Sequence, residues 1–209
     1  MKNIFLLLMG MIVTLVVDAQ TNADSFDLGK WNKEVLTEAN TAKDVNYLDE
    51  EEKELIFLTN LARLNGELFS ETILDIYLKD KKSSRYTRSL YRDLKKVKNL
   101  PPLDPEEDLY KAALEHAETS GKRGTTGHQR FGKRYDPLMK NYNEIGENLA
   151  YGYRSAPDIL IQLLIDEGIP DLGHRKNLLN PNFNSIGVAI ESHKKYRFNC
   201  VMSFGKKVK

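Results

Sequence analysis

The sequence has almost no cysteine. Cys200 is the single one among 209 residues, so no internal disulfide can form and noncovalent packing must hold the fold together. Cys200 lies in the alternating apolar stretch 198–202, which favours a buried, inert thiol over a reactive one. The sequence therefore offers neither a disulfide-stabilised scaffold nor a good candidate for thiol catalysis.

A strong charge of either sign is also missing. Lys and Arg number 31 and Asp and Glu number 30, which gives a formal net charge of +1. Without a one-sided field, the chain is not expected to bind nucleic acid or to be drawn to a membrane surface. The one strongly basic run, residues 79–98, is expected to form a solvated helix face, with an anionic-ligand site as the alternative.

Two common catalytic motifs are absent as well. The sequence contains no HExxH pair, which counts against ordinary zinc peptidases, and no nucleophile elbow. Internal repeats and low-complexity tracts are missing too, so the chain is not a repeat protein. Any chemistry must therefore come from a less familiar set of side chains.

The N-terminal segment has the form of a secretory signal peptide. A lysine precedes an apolar run over residues 4–17, and Val17 and Ala19 place small residues at −3 and −1 from a cleavage point before Gln20. The run is shorter than the roughly 20 apolar residues of a membrane span, and an uncleaved anchor is the alternative. We expect residues 1–19 to be removed and the mature chain to be secreted, extracellular or periplasmic, without a stable membrane span.

The mature chain is expected to contain one domain. Residues 20–45 are polar and are predicted to form a loosely ordered N-terminal arm. Residues 46–209 carry the apolar patterns of a folded domain, and helical spacing dominates their first part. One of the predicted helices has Asp104 as its N-cap and Pro105 at its first position.

The end of the chain has a different pattern. Apolar residues alternate over residues 186–190 and 196–204, which predicts two strands of a hairpin. Helices followed by glycine-rich loops and then strands indicate an α+β fold, in which helices cover the apolar faces of a sheet.

Two of the four histidines have an unusual local context. His128 and His174 each follow a glycine, which leaves the imidazole ring uncrowded in a loop where binding residues often lie. Glu147 stands in an otherwise apolar run, so its carboxylate is expected to need a cation, a metal or a hydrogen-bond partner; capping of a turn is the alternative. His116 is predicted to be a core histidine on the inner face of a helix, and His193 an exposed residue of the hairpin turn.

Six short motifs follow one another along the chain. They are NLAR at 60–63, LYKAALEHA at 109–117, GH at 127–128, GENLAYG at 146–152, GHRKNLLNP at 173–181 and SIGVA at 185–189. In this order they resemble the motifs of the CAP superfamily, the cysteine-rich secretory, antigen 5 and pathogenesis-related proteins, and in particular its bacterial branch with an SCP-like extracellular domain. The resemblance covers residues 50–206.

The resemblance implies a three-layer α-β-α sandwich with a central antiparallel sheet and a cleft lined by two histidines and two acids. His128, Glu147 and His174 match three of these four positions. The bacterial branch has Trp and then Ser-Pro before the GHR segment, whereas this chain has LIDEGIP at 164–170.

The fourth position is therefore filled differently in this chain. Asp166 is expected to supply the second acid, and Glu167 is the alternative. Because the resemblance gives this acid no exact match, its role depends on where the fold places it.

The leading functional hypothesis is a secreted binding module. The resemblance implies that His128 and His174 take up Zn²⁺ or another divalent cation, with Glu147 as a ligand or as a support for an imidazole ring. The partner of the cleft is expected to be a lipid, sterols included, or a glycan.

Two alternatives stay open. The first is a metal-assisted hydrolase, a peptidase or an esterase, with Glu147 as general base on a bound water and Asp166 as a second catalytic residue. The second is a structural or interaction module without metal, in which the acids and histidines fix the loops through hydrogen bonds.

Overall fold

The computed structural model describes residues 26–208. The predicted signal peptide at residues 1–19 and the first part of the predicted arm lie outside this range. None of the helices in this range combines the length and the hydrophobicity that a membrane span requires. The helices are α1 (Lys33–Ala39), α2 (Glu50–Leu64), α3 (Gly66–Phe69), α4 (Asp75–Leu78), α5 (Arg85–Leu94), α6 (Glu107–Arg123), α7 (Phe131–Tyr135), α8 (Ala156–Ile165) and α9 (Gly173–Leu178), and the strands are β1 (Asp104–Pro105), β2 (Tyr142–Tyr151), β3 (Ser185–His193) and β4 (Arg197–Lys207).

The strands form one four-stranded sheet in the order β1-β3-β4-β2. β3 and β4 are the antiparallel hairpin that the alternating pattern predicts. β2, a strand that was not predicted from the sequence, pairs antiparallel with β4. The three long strands therefore form the expected antiparallel sheet, and the two-residue β1, which runs parallel to β3, makes the sheet mixed at that edge.

The segment before α6 differs from its prediction for a reason that involves proline. Asp104 and Pro105 form β1, and the helix begins only at Glu107. The backbone amides of Asp104 and Glu106 donate to the carbonyl groups of Asn184 and Ile186, at 3.0 and 2.8 Å. Because the pairing uses the amides on either side of Pro105, the missing N–H of the proline costs nothing at this strand edge.

Helices cover both faces of the sheet, which gives the predicted α-β-α arrangement. On one face, Ala189 and Val201 pack against Ala113 and Ala117 of α6. On the other face, the alternate residues of β3 and β4 join the larger core with α2 and α8. A Cβ atom at Gly187 would lie 2.2 Å from a backbone nitrogen of α6, so only glycine allows this helix to pack so closely on the sheet.

The described part of the N-terminal arm is packed against the domain. Trp31 is 5% exposed, and its indole Nε1 donates to Thr72 Oγ1 at 2.9 Å. Ala39 and Ala42 belong to the main hydrophobic core. The prediction of a loosely ordered arm is therefore wrong for residues 26–45, because a few apolar anchors suffice to dock a segment whose composition is polar.

Cys200 lies in β4 and is 1% exposed. Burial raises the pKa of its thiol well above the usual value, which keeps the nucleophilic thiolate form scarce. The predicted buried position of this thiol is confirmed.

Candidate functional site

His128 and Glu147 form the first histidine–carboxylate pair. His128 lies in the loop after α6, and Glu147 lies on β2. The imidazole Nδ1 is 2.8 Å from Glu147 Oε1. The histidine side chain is 51% exposed and the glutamate side chain 1%, so the acid is deeply buried while its partner ring reaches solvent.

Two further side chains hold the carboxylate of Glu147. Arg134 donates from Nη2 to Oε1 at 3.0 Å and from Nη1 to Oε2, and the Tyr135 hydroxyl donates to Oε2 at 2.9 Å. The Arg134 side chain is 2% exposed. Neither residue was predicted from the sequence, where their only signal is a basic and an aromatic residue next to each other after the His128 loop.

These contacts decide the charge of Glu147. Burial alone would raise the pKa of its carboxyl, but the hydrogen bonds from His128, Arg134 and Tyr135 and the positive guanidinium lower it to about 2. The carboxylate is thus ionised at neutral pH, and four donors occupy its two oxygens. A base with so low a pKa accepts protons poorly, which argues against Glu147 as the general base of a hydrolase.

Asp166 and His174 form the second pair. The imidazole Nδ1 of His174 is 2.6 Å from Asp166 Oδ1. The other carboxylate oxygen accepts the backbone amides of His174 and Arg175, at 2.9 and 3.3 Å. The structure thus gives this contact to Asp166, which lies at the end of α8 with its side chain 1% exposed.

Two asparagines connect the pairs. Asn148 Nδ2 donates to the carbonyl oxygen of His174 at 2.9 Å, and Asn177 Nδ2 donates to Asn148 Oδ1 at 2.8 Å. Because Asn148 follows Glu147 on β2, these bonds fix α9, and with it His174, to the strand that carries the first acid. Both asparagines belong to the motifs singled out in the sequence.

A cavity of about 380 Å³ adjoins the second pair. His174 and Asp166 contribute to its wall, and among the residues that the structure describes its lining includes neither His128 nor Glu147. Each histidine therefore has a carboxylate of its own, and only the second pair lines this cavity.

The other two histidines bind the backbone of the His128 loop. His116 Nε2 lies 3.0 Å from the carbonyl oxygen of Gly127 and His193 Nε2 lies 3.0 Å from that of Thr125. His116 is buried, which confirms the predicted core histidine, whereas His193 is 2% exposed, so the predicted exposed position is wrong. Its Nδ1 accepts two amides of the hairpin turn, which explains its burial.

His128 and His174 could each offer one ring nitrogen to a divalent cation, because the carboxylate contacts use Nδ1. A carboxylate on Nδ1 is the support that metal-binding imidazoles commonly have, and it leaves Nε2 as the ligand atom. Within residues 26–208, no group of three or more His, Cys, Asp or Glu side chains is arranged to hold an ion. An ion at His128 or His174 would therefore keep most of its coordination positions for water or a ligand.

Comparison with known proteins gives the following matches. The model of the family described as "CAP: Cysteine-rich secretory protein family" matches residues 58–204. A protein of Bacillus subtilis (strain 168), YkwD, described as uncharacterized, is 35% identical over 95 residues, which make up 43% of this chain and 35% of that protein. The match thus spans about a third of the length of this relative.

Two solved structures are also similar. An outer surface protein of Borrelia burgdorferi is 25% identical with a TM-score of 0.45, and the match covers 59% of this chain and 90% of that one. An extracellular protein containing a SCP domain from Bacillus anthracis str. Ames is 26% identical with a TM-score of 0.42, covering 52% of this chain and 35% of that one.

Proposed function

The chain belongs to the cysteine-rich secretory protein (CAP) family, and from this membership we propose that it is an extracellular binding module that takes up a divalent cation such as Zn²⁺ at His128 and His174. The signal-like segment before Gln20 supports the extracellular location. The observation that carries the metal proposal is the contact of each Nδ1 with a buried carboxylate.

The carboxylates determine which nitrogen of each imidazole ring carries the proton. An ionised acid accepts a proton-bearing Nδ1, so the neutral ring keeps the lone pair on Nε2. Glu147 is ionised at neutral pH because its pKa is lowered to about 2 by its hydrogen-bond donors despite burial. Glu147 and Asp166 therefore act by orienting the imidazoles, and the metal would supply Lewis acidity and a contact for a ligand atom.

Calorimetric titration with Zn²⁺ at pH 7 tests the proposal. We expect measurable uptake by the wild type, none by His128→Ala/His174→Ala, and no change in Asp171→Ala, which removes an exposed acid three residues before His174. Equal uptake by the wild type and the double variant would show that Zn²⁺ does not bind at these two histidines. The single variants add a second result: each abolishes uptake if the two rings share one ion, and each halves the stoichiometry if they bind separately.

The cavity beside His174 favours a second component, a lipid ligand. The residues that line it include Leu149, Ile161 and Ile165, together with Tyr153 and Ile169, whose side chains are exposed. Exposed apolar side chains around a concave site are typical of ligand-binding surfaces. We propose that this wall favours an acyl chain or a sterol over a glycan, the other partner that the resemblance implies.

A filled cavity tests this component. Gln162→Trp places a large side chain into the cavity from an exposed position, and Lys111→Trp adds the same residue on the exposed side of α6 as a control. We expect binding of a fluorescent fatty acid to weaken at least tenfold only in Gln162→Trp. If the two variants bind the probe equally well, the lipid is not held in this cavity, and the result leaves the metal test unaffected.

A further inference from the structure

The near-zero net charge of the chain hides a strong separation of charge. Residues 79–98 contain nine Lys or Arg and two Asp, whereas the other 189 residues contain 22 basic and 28 acidic ones. One segment of twenty residues is thus strongly positive while the remainder is negative. A field of this kind attracts anions to one part of the surface even though the whole protein is almost neutral.

Helix α5 presents this charge on one side. Arg85, Arg88 and Arg92 are exposed and follow the spacing i, i+3 and i+7, which places them on one face of the helix. Leu90 and Leu94 are fully buried on the other face. The helix that carries these basic residues is therefore anchored to the core.

A groove runs beside this face. Two cavities of about 450 and 360 Å³ lie between the α5 segment and the chain that leads into and out of α9, and Leu172 lines both of them. Exposed basic side chains of both segments line the groove: Arg85, Arg92, Lys96 and Lys176. Apolar side chains complete its wall: Val97, Pro170, Leu172, Leu179 and Pro181.

One carboxylate lies in the groove, and it is already paired. Asp93 Oδ2 accepts a hydrogen bond from Nη1 of Arg175 at 2.9 Å, and this arginine side chain is 3% exposed. Among the basic residues of the groove, Lys96 lies 3.9 Å from Asp93, and in residues 26–208 the other three have no carboxylate within 4 Å. The positive charge of the groove is thus largely uncompensated.

We propose that this groove binds a linear polyanion whose charges are phosphate groups. The four basic residues lie along a channel, with about 10 Å of helix between Arg85 and Arg92 at 1.5 Å per residue. A channel with charge on both sides and apolar carbon between suits a chain that carries repeated anions, whereas a membrane surface would contact a flat or convex face. The groove shares no lining residue with the cavity beside His174, so it is a second site.

Fluorescence anisotropy with labelled inorganic polyphosphate tests this site on the mature chain. The groove variant is Arg85→Gln/Arg92→Gln/Lys96→Gln/Lys176→Gln. The control removes the same formal charge at exposed positions elsewhere, as Lys33→Gln/Lys43→Gln/Lys194→Gln/Lys195→Gln. We expect the groove variant to bind at least tenfold more weakly and the control less than threefold. The plot of log K against log salt has a negative slope, and its magnitude should decrease by about 3 only in the groove variant, because fewer counterions are released on binding.

Three results would overturn the proposal. The first is that the wild type does not bind polyphosphate. The second is an equal loss of affinity in both variants, which would show general charge attraction. The third is binding only to vesicles of phosphatidylglycerol and phosphatidylcholine, which would assign the face to a membrane surface. Circular dichroism checks folding, and Arg85→Gln/Arg92→Gln repeats the measurement with two substitutions if the larger set does not fold.

Discussion

The two histidine–carboxylate pairs share one contact and differ in everything that surrounds it. Glu147 lies midway along β2, an edge strand of the sheet, where a buried guanidinium and a tyrosine hydroxyl share its oxygens with His128. Asp166 lies where α8 ends, and within residues 26–208 its side chain accepts, besides the ring of His174, only backbone amides at the start of α9. The first acid is held by a cation and the second by the free amides of a helix end.

One ring orientation is thus reached at two different energetic costs. A buried ion pair is expensive to break, since either partner left alone is a desolvated charge. Removal of a carboxylate that is held by backbone amides leaves those amides without an acceptor, but it leaves no buried charge behind. The first pair is therefore expected to matter most for stability, and the second, which lines the cavity, for binding.

The largest effect is expected from Arg134→Met. The substitution leaves Glu147 ionised and buried with no cation, and it should lower the free energy of unfolding by about 3–5 kcal/mol. Urea unfolding at pH 7 measures the loss, and Arg130→Met, at an exposed arginine, is the matched control. A loss below about 1 kcal/mol would mean that the guanidinium does not stabilise the acid.

The free energy of unfolding at acid pH should also depend on the contact between Arg134 and Glu147. The native pKa of Glu147 is lowered to about 2 by its donors although burial opposes this, from an ordinary value of 4.5. Its stabilisation, about 3 kcal/mol at 1.36 kcal/mol per pKa unit, is complete above pH 4.5 and is lost as the pH falls towards 2.

Urea unfolding of the wild type and Glu147→Gln between pH 5 and 2 measures this change. The advantage of the wild type should shrink over that range, and a constant difference would contradict the lowered pKa. Other carboxyls with shifted pKa values, such as Glu52, whose pKa burial raises to about 7, are present in both proteins, so the difference between the two proteins reports Glu147.

A smaller effect is expected at the second pair. Asp166→Ala removes the acceptor of one ring and two backbone donors, and it should cost about 1–3 kcal/mol. Loss of the support of an imidazole should also weaken Zn²⁺ uptake about 10–100-fold. Asp166→Asn keeps an acceptor oxygen and should recover part of both losses. If Asp166→Ala leaves uptake unchanged while it lowers stability, the pair is structural only.

The sequence predicted the fold better than it predicted the contacts. The hairpin and the core position of Cys200 follow from local alternation, and they are confirmed. The strand that carries Glu147 was not predicted, because a strand buried among glycines and asparagines lacks the alternating pattern.

The partners of the site depend on tertiary contacts that no local pattern contains. Arg134 reaches Glu147 across 13 residues, and His193 is buried because the loop of Thr125 folds over it. The polar arm docks through Trp31 for the same reason. Contacts between residues that are far apart in the sequence decide these positions, and the local sequence and its composition do not predict such contacts.

The smallest effect is expected at Glu167, the alternative to Asp166. Glu167 is exposed and lines the cavity, whereas Asp166 holds both the ring and the backbone of His174. Glu167→Gln should therefore change the free energy of unfolding by less than about 0.5 kcal/mol, as surface substitutions usually do, and should leave Zn²⁺ uptake unchanged. The measurements are the same urea unfolding and calorimetry as for Asp166→Ala. A tenfold loss of uptake in Glu167→Gln would show that the exposed acid contacts the ion and would transfer the second carboxylate of the site from the end of α8 to the loop that follows it.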